Sequence, residues 1–199
     1  MQSKLRRAVV AAVASMLIFS GCGAESRSAE VQGESRTVKN IDGTDVTVPA
    51  KPERVVVLSE PTLDGALALG VTPIGAVSGR GQRGLPHYIA DLAGDIEVLG
   101  GVAQPNFELI GKAKPDLILV DGTSINNNPE VLEMLGAIAP VVNVGLAGGD
   151  WRETFTHVAD ALNLSAKGEQ VLADYDAKVA AAQEQLAEHR DETFSVVQI

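Results

Sequence analysis

The sequence predicts an α/β fold in which a doubly wound, mostly parallel β-sheet is covered by helices on both faces. Uninterrupted apolar runs at 55–58 and 117–120 are typical of strands that are buried on both sides. Short helical segments separate these and further apolar runs, and such alternation is typical of a parallel sheet. The 199 residues, 45% of them apolar, suffice for a packed core.

The first predicted element is a β-hairpin. Apolar and polar residues alternate over 37–48 on both sides of Asp42-Gly43, and an Asp-Gly pair between two such runs favours a tight turn. Pro49 and Pro52 end the pairing, because proline has no N–H group to donate.

Strands and short helices then alternate along the chain. After the strand at 55–58, we expect strands at 71–77, 96–99, 117–120 and 141–144. Three short helices are predicted between them from their capping and ending residues. One is capped by Thr62 and ends before Gly70, one is capped by Asn106 and closed by Pro115, and one starts at Asn128-Pro129 and ends at Gly136.

Two longer helices follow the predicted sheet. The first has Trp151, Phe155, Val158, Ala159 and Leu162 at helical spacing on one face. Ser165 is expected to cap the second, which runs to about His189 and is about 36 Å long at 1.5 Å per residue. Its apolar stripe consists of Val171, Tyr175, Val179, Ala182 and Leu186. The run 194–199 is extended again, as at the start of a further strand.

The amino terminus has the pattern of a secretory signal. A basic segment precedes the apolar run 8–19, and small residues then lead to Cys22. The run is too short to span about 30 Å of hydrocarbon, and the alternative is a short buried helix. We therefore expect a signal peptide at 1–21. Residues 22–36 are rich in Ser, Glu and Gly and predict a flexible tether.

Composition excludes several classes of function. A net charge of −10 disfavours binding to nucleic acid, and 4% aromatic residues do not provide a platform for stacking bases. The single cysteine excludes an internal disulfide framework and a Cys-rich zinc site. The sequence also lacks the glycine-rich nucleotide loops and the nucleophile motif G-x-S-x-G, so an exported Rossmann-like oxidoreductase or hydrolase is the disfavoured alternative.

Ligands of open α/β sheets bind beyond the carboxyl ends of the strands, which here are followed by polar, glycine-rich loops. These loops lie at 59–62, 78–83, 121–124 and 145–151. Arg80 and Arg83 are the leading candidate contacts, because guanidinium groups bind anionic oxygens with forked, permanently charged donors. The alternative is that both are solvated loop arginines. Further candidate contacts are Glu60, His87, Tyr88, Thr123, Ser124 and Trp151. Trp151 fits either an aromatic wall or core packing with Phe155.

The three histidines do not predict a metal site. His87, His157 and His189 are dispersed along the chain, whereas zinc or manganese needs three or four ligands that converge. His157 and His189 are expected at the surface.

Several short segments of the chain match a family pattern in order and at the family spacing. They are VTVPAKPERVVVL at 46–58, LALGVTPIG at 67–75, GG at 100–101, PNFELI at 105–110, KPDLIL at 114–119 and IAPVV at 138–142. Together they resemble the substrate-binding proteins of ABC importers for iron–siderophores, haem and cobalamin. The resemblance covers about residues 37–199. It implies an N-terminal ligand-binding lobe at 37–164, a long interlobe helix at 165–190, and the beginning of a C-terminal lobe at 191–199, where the chain stops.

The resemblance also implies a function. A monomer would capture a ferric siderophore in the cleft between two lobes and deliver it to an ABC permease dimer, without catalysis. Iron would be carried only as a chelate, so no resident cofactor is expected. The alternatives are a haem or cobalamin carrier, in which His87 or Tyr88 could ligate haem iron, and a purely structural lipoprotein.

Resemblance to known sequence patterns also implies roles for two further residues, Cys22 and Glu108. The segment before Cys22 is similar to a bacterial lipoprotein signal, which implies a lipid anchor at Cys22 on the outer face of the cell membrane. Glu108 lies where this family has an acidic residue that docks on the permease. Its place in a first helical turn is also favourable to a carboxylate, so the alternative is that it only stabilises its own helix.

Overall fold

The computed structural model describes residues 29, 31–102, 104–125, 128–189, 192–193 and 195–197. The predicted signal peptide at 1–21 and Cys22 lie outside the described residues, so both stay predictions. Within the described helices, none combines the length and the apolar character that crossing a membrane requires.

The predicted hairpin is confirmed. Strands β1 (Ser35–Lys39) and β2 (Asp45–Pro49) pair antiparallel around a turn in which Asp42 Oδ1 accepts a hydrogen bond from the amide of Thr44 at 2.9 Å. The hairpin begins at Ser35, so it includes the last two residues of the predicted tether. Arg36 belongs to β1, and its Nη1 pairs with Asp160 at 3.2 Å, which attaches this residue to the folded body.

A six-stranded sheet forms the centre, in the order β6-β5-β4-β3-β7-β8. The strands are β3 (Val55–Val57), β4 (Gly75–Ser78), β5 (Glu97–Gly101), β6 (Gln104–Pro105), β7 (Leu117–Val120) and β8 (Val141–Asn143). All neighbouring strands are parallel except β5 and β6. The doubly wound, mostly parallel sheet is therefore confirmed. Strand β4 starts later than the predicted 71, because the amide of Val71 bonds to Ala66 at the end of a helix and Pro73 has no amide to donate.

Seven helices occur among the described residues: α1 (Glu60–Ala68), α2 (Ala90–Ala93), α3 (Phe107–Ala113), α4 (Gly122–Ile125), α5 (Pro129–Gly136), α6 (Trp151–Ala161) and α7 (Ser165–Gln185). Short 3-10 turns occur at His87–Ile89 and Ala187–His189. Neither β6 nor the short helices α2 and α4 were predicted, since each has only two to four residues.

Two of the four predicted helix caps are confirmed and two are wrong. Asn106 and Asn128 accept hydrogen bonds from amides in the first turns of α3 and α5. The cap of α1 is Ser59 rather than Thr62, whose hydroxyl instead accepts from the amide of Ser59 at 3.1 Å in a reciprocal capping box. Helix α7 begins at Ser165 itself, and the residue before it makes no side-chain cap.

The sheet separates two apolar layers. Val55 and Val57 face a core shared with α1, α6 and the hairpin, while Val56 and Leu58 face a core shared with α3 and α5. Successive side chains of a strand point to opposite faces, so a strand covered on both sides needs apolar residues at every position. This explains the uninterrupted run at 55–58.

Among the described residues, the apolar contacts of helix α7 with the folded body lie in its amino-terminal half. Gly168 is its one fully buried residue, and Val171 and Leu172 pack against the core. The rest of the predicted apolar stripe is exposed, with Tyr175 at 45% and Leu186 at 58%. The helix is confirmed, but the described residues do not cover this part of its stripe.

The expected strand at 194–199 lies partly outside the described residues. Among 192–193 and 195–197 no residue is in a strand, and Val196 and Val197 are exposed. A strand needs a neighbour to accept and donate its backbone hydrogen bonds, and the described sheet offers none here. The start of a C-terminal lobe stays a prediction.

The contact between α6 and α7 predicts a specific effect of one methyl group. A Cβ added to Gly168 would lie 2.7 Å from Ala159 Cβ, whereas a Cβ on Gly111 of α3 would meet nothing within 4 Å. We expect Gly168→Ala to lower the free energy of unfolding by about 1–3 kcal/mol, because the two helices must separate. Gly111→Ala should raise it by up to about 1 kcal/mol, because alanine favours helix.

Urea unfolding of the two variants, followed by circular dichroism, measures both effects. A Gly168→Ala variant as stable as the wild type would contradict the close packing of α7 against α6.

Candidate ligand-binding site

Four loops meet at one edge of the sheet. Strands β4, β3, β7 and β8 are consecutive neighbours and all run parallel, so their carboxyl ends lie side by side. The loops that follow them are the four predicted from the sequence. The edge therefore has the geometry of a ligand site in an open α/β sheet.

The loops after β7 and β8 contact each other directly. The amide of Gly122 donates to the carbonyl of Gly145 at 2.8 Å. A Cβ on Gly122 would lie 2.5 Å from the backbone nitrogen of Ala147, so a larger residue cannot fit without a shift of the backbone. The two loops form one continuous surface at the site.

Asp121 organises the turn after β7, and the sequence did not single it out. The residue is only 2% exposed, and its Oδ1 accepts hydrogen bonds from the amides of Thr123 at 2.9 Å and Ser124 at 3.1 Å. An aspartate directly after a buried apolar strand was the available signal. Its role is to fix the backbone of the turn.

Thr123 and Ser124 lie at the predicted edge, but their hydroxyl groups are engaged inside the turn. The Thr123 hydroxyl donates to Asp121 Oδ1, and the Ser124 hydroxyl donates to the carbonyl of Asp121 at 2.9 Å. Ser124 is also only 3% exposed. The structure thus gives both hydroxyls a part in shaping the turn, and their contact with a ligand stays a prediction.

The loop after β4, residues 79–88, is here called the arginine loop. It begins with a turn that is closed by a hydrogen bond from the amide of Gly79 to the carbonyl of Gly84 at 2.8 Å. Arg80 and Arg83 extend from this turn and are exposed. Neither forms a salt bridge with any other described residue, so both charges are available to an anion.

Glu60 and Tyr88 contact the protein itself. Glu60 Oε1 accepts from the amide of Arg80 at 2.9 Å, and the Tyr88 hydroxyl donates to the carboxylate of Asp64 at 2.8 Å. Both contacts join the arginine loop to α1. His87, at the start of the 3-10 turn, is exposed.

The Asp64–Tyr88 pair has perturbed acidities. Burial raises the pKa of the half-buried Asp64, and the hydrogen bond from Tyr88 opposes that shift in part. The pKa of Tyr88 is raised as well, first by desolvation and then by its hydrogen bond to Asp64. The proton therefore stays on the phenol at physiological pH. Asp64 was missed in the sequence because it lies 24 positions from its partner.

Trp151 begins α6 beside the fourth loop and is 51% exposed, so of the two alternatives for this residue core packing is wrong. Its ring lies edge-on to Tyr175 with centroids 5.1 Å apart. The Arg152 guanidinium lies 4.7 Å from the Trp151 ring centroid and pairs with Asp176 of α7. This contact explains why Tyr175 belongs to the stripe of α7 without being buried. An aromatic wall for a ligand stays compatible with the exposed ring.

Glu108 is exposed in the first turn of α3, directly after the cap at Asn106. Ile110 is buried and Phe107 is half-buried, so the helix packs by the face opposite Glu108. Strand β6 runs antiparallel to the carboxyl end of β5 and leads directly into α3. The first turn of α3 therefore lies near the carboxyl edge of the sheet. The predicted geometry of Glu108 is therefore present.

Within the described part of the chain, no three His, Cys, Asp or Glu side chains gather closely enough to hold a metal ion. The predicted surface position of His189 is confirmed, and His157 is half-buried on α6.

Comparison with known proteins identifies the family. Residues 55–198 match the family described as periplasmic binding protein. The chain belongs to that family. It is 34% identical over 187 residues to the probable siderophore-binding lipoprotein YfiY of Bacillus subtilis, covering 92% of this chain and 56% of that protein. It is 31% identical over 166 residues to the Fe(3+)-citrate-binding protein YfmC of the same organism, covering 80% and 51%.

A solved structure has the same fold. The Staphylococcus aureus protein SirA complexed with staphyloferrin B superimposes with a TM-score of 0.68 at 34% identity, over 78% of this chain and 52% of that one. The family and the fold expected from the sequence are thus confirmed. The chain spans about half the length of the curated relatives it matches.

Proposed function

We propose that this chain is the ligand-binding lobe of an ABC-importer substrate-binding protein that captures a ferric siderophore. The observation that carries the proposal is the pair of exposed guanidinium groups on the arginine loop, at the carboxyl edge of the sheet, which form no salt bridge within the described part of the chain. Ferric siderophores surround the metal with hydroxamate, catecholate or carboxylate oxygens and often carry negative charge. Guanidinium groups bind such oxygens with forked, permanently charged donors.

The relatives support this class of ligand. YfiY is named a probable siderophore-binding lipoprotein, YfmC is named for ferric citrate, and SirA was solved with staphyloferrin B. In our proposal the ligand is enclosed between this lobe and a second one. The iron is cargo that arrives inside its chelate, so the protein needs no resident cofactor and performs no catalysis.

The proposal includes a location and a partner. The protein is exported, anchored by lipid at Cys22 and monomeric, and it passes the chelate to an ABC permease dimer. Exposed Glu108 on the first turn of α3 is the docking residue of this lobe. A carboxylate at this place also interacts favourably with its helix dipole, so a test must separate the two roles.

Removing both guanidinium groups tests ligand binding. We expect Arg80→Ala with Arg83→Ala to weaken binding of ferric citrate or ferric enterobactin by roughly 2–5 kcal/mol, because two charge-assisted bonds are lost. The control is a double variant in which the exposed residues Lys112 and Lys178 are both replaced by alanine. It changes the net charge by the same amount as the arginine variant.

Quenching of Trp151, the single tryptophan, reports the affinity, and hemin and cyanocobalamin are titrated in parallel. Unchanged affinity in the arginine variant, or an equal loss in the lysine control, would refute the assignment. If only hemin binds tightly, the ligand is haem and not a ferric siderophore.

Substituting Glu108 tests docking. We expect Glu108→Ala to reduce uptake of the radiolabelled ferric chelate while its affinity for the protein stays unchanged, since the residue lies on α3 and not on the loops of the site. Glu130 is the matched control, because it is also exposed and in the first turn of its helix. Glu130→Ala should lower the stability of its helix by a similar amount, roughly 0.3–1 kcal/mol, and leave uptake of the chelate unchanged.

Uptake and affinity are measured on the same variants. A parallel fall of affinity and uptake in Glu108→Ala would place the residue in the site or the fold. Equal loss of uptake in both variants would reduce its role to helix stability.

A further inference from the structure

The arginine loop is joined to α1 at two points one helical turn apart. Glu60 accepts from the backbone amide of Arg80 at 2.9 Å, and Asp64 accepts from the side-chain hydroxyl of Tyr88. Residues four apart on a helix lie on the same face, so the two carboxylates meet the outgoing and returning ends of the loop. Arg80 lies at the outgoing attachment, and Arg83 lies between the two attachments.

The contact at the returning end depends on one side chain. The Tyr88 hydroxyl lies 2.9 Å and 2.8 Å from the two carboxylate oxygens of Asp64, while Tyr88 itself is 68% exposed. Packing therefore does little to fix the Tyr88 side chain, and the hydrogen bond does more, whereas Pro86 and Ile89 near it are buried. Its acceptor is charged and half-buried, and hydrogen bonds of that kind are stronger than neutral ones at the surface.

We propose that Asp64 is a positioning residue that fixes the arginine loop through the Tyr88 hydroxyl and thereby presents Arg80 and Arg83 together to the ligand. Asp64 does not itself touch the ligand. The presentation of the arginines to a ferric chelate rests on the proposed function, whereas the attachment of the loop does not.

Fixing the loop matters because two guanidinium groups must reach one anion at the same time. A loop that samples many conformations loses more conformational freedom on binding, and that loss weakens affinity. Attachment of both ends to one helix reduces this loss in advance. Asp64 then strengthens binding without a direct contact.

Tryptic cleavage tests the attachment without any ligand. The bonds Arg80–Gly81 and Arg83–Gly84 lie in the loop, and the bond after Lys178 on exposed α7 is the internal reference. Asp64→Ala and Tyr88→Phe should each accelerate cleavage in the loop about tenfold relative to the reference, since a hydrogen bond to a charged group shifts an equilibrium by that order. Asp64→Asn, which keeps an acceptor, should change it less.

Two comparisons make this measurement decisive. The double variant Asp64→Ala with Tyr88→Phe should cleave no faster than either single variant, because both remove the same bond. Asp91→Asn on α2 is the control, because Asp91 is exposed and makes no hydrogen bond with another described side chain. Unchanged loop cleavage in Tyr88→Phe, equal acceleration at the reference bond, or additive effects in the double variant would overturn the proposal.

Affinity for ferric citrate tests the consequence for the ligand. We expect Asp64→Ala and Tyr88→Phe each to weaken it about tenfold. In the variant that already lacks Arg80 and Arg83, either change should cause little further loss. In alkaline absorbance titration, Asp64→Ala should also lower the raised pKa of Tyr88. Faster cleavage with unchanged affinity would overturn the positioning role. If the wild type binds no ferric chelate, the proposed function fails, and the cleavage rates still decide whether Asp64 fixes the loop.

Discussion

The parallel alignment of four neighbouring strands is the constraint on which the rest of this structure depends. Because β4, β3, β7 and β8 run in one direction, the chain must leave each of them at the same edge. That edge collects the backbone groups and side chains that a ligand can reach. The apolar layers on both faces make the alignment stable, and they leave the edge as the place where polar residues can gather without the cost of burial.

The acidic residues near this edge act mainly on the protein itself. Asp121 binds the amides of its own turn, Glu60 binds the amide of Arg80, and Asp64 binds the hydroxyl of Tyr88. None of them pairs with Arg80 or Arg83, whose positive charges stay exposed in a chain with a net charge of −10. Local geometry, and not overall charge, therefore decides which ions the site attracts. At this edge the arrangement favours an anion.

The sequence predicted what depends on local pattern. The run at 55–58, the Asp-Gly hairpin and the caps at Asn106 and Asn128 are each determined by neighbours a few positions away, and each was found. The capping box at Ser59 was assigned to Thr62, because both hydroxyl residues precede the same helix and only the backbone geometry separates them. Helical spacing also suggested a buried stripe on α7, but only tertiary packing decides how far such a stripe is covered.

The site was predictable in part for the same reason. Rules for open sheets located the four loops and the two arginines, which needs only the strands and their order in the chain. The partners of Glu60 and Tyr88 lie 20 and 24 positions away, so local pattern did not reveal the contacts of these residues with the protein. Their contact with a ligand stays a prediction.

Hydrogen exchange of the backbone amides, with and without saturating ferric citrate, tests whether the ligand binds at the carboxyl edge. We expect added protection at the four loops of the carboxyl edge, above all in 79–88, and none in 51–54, 114–116 and 138–140 at the opposite edge. Protection at that opposite edge, or none in the loops of a protein saturated with the chelate, would contradict it.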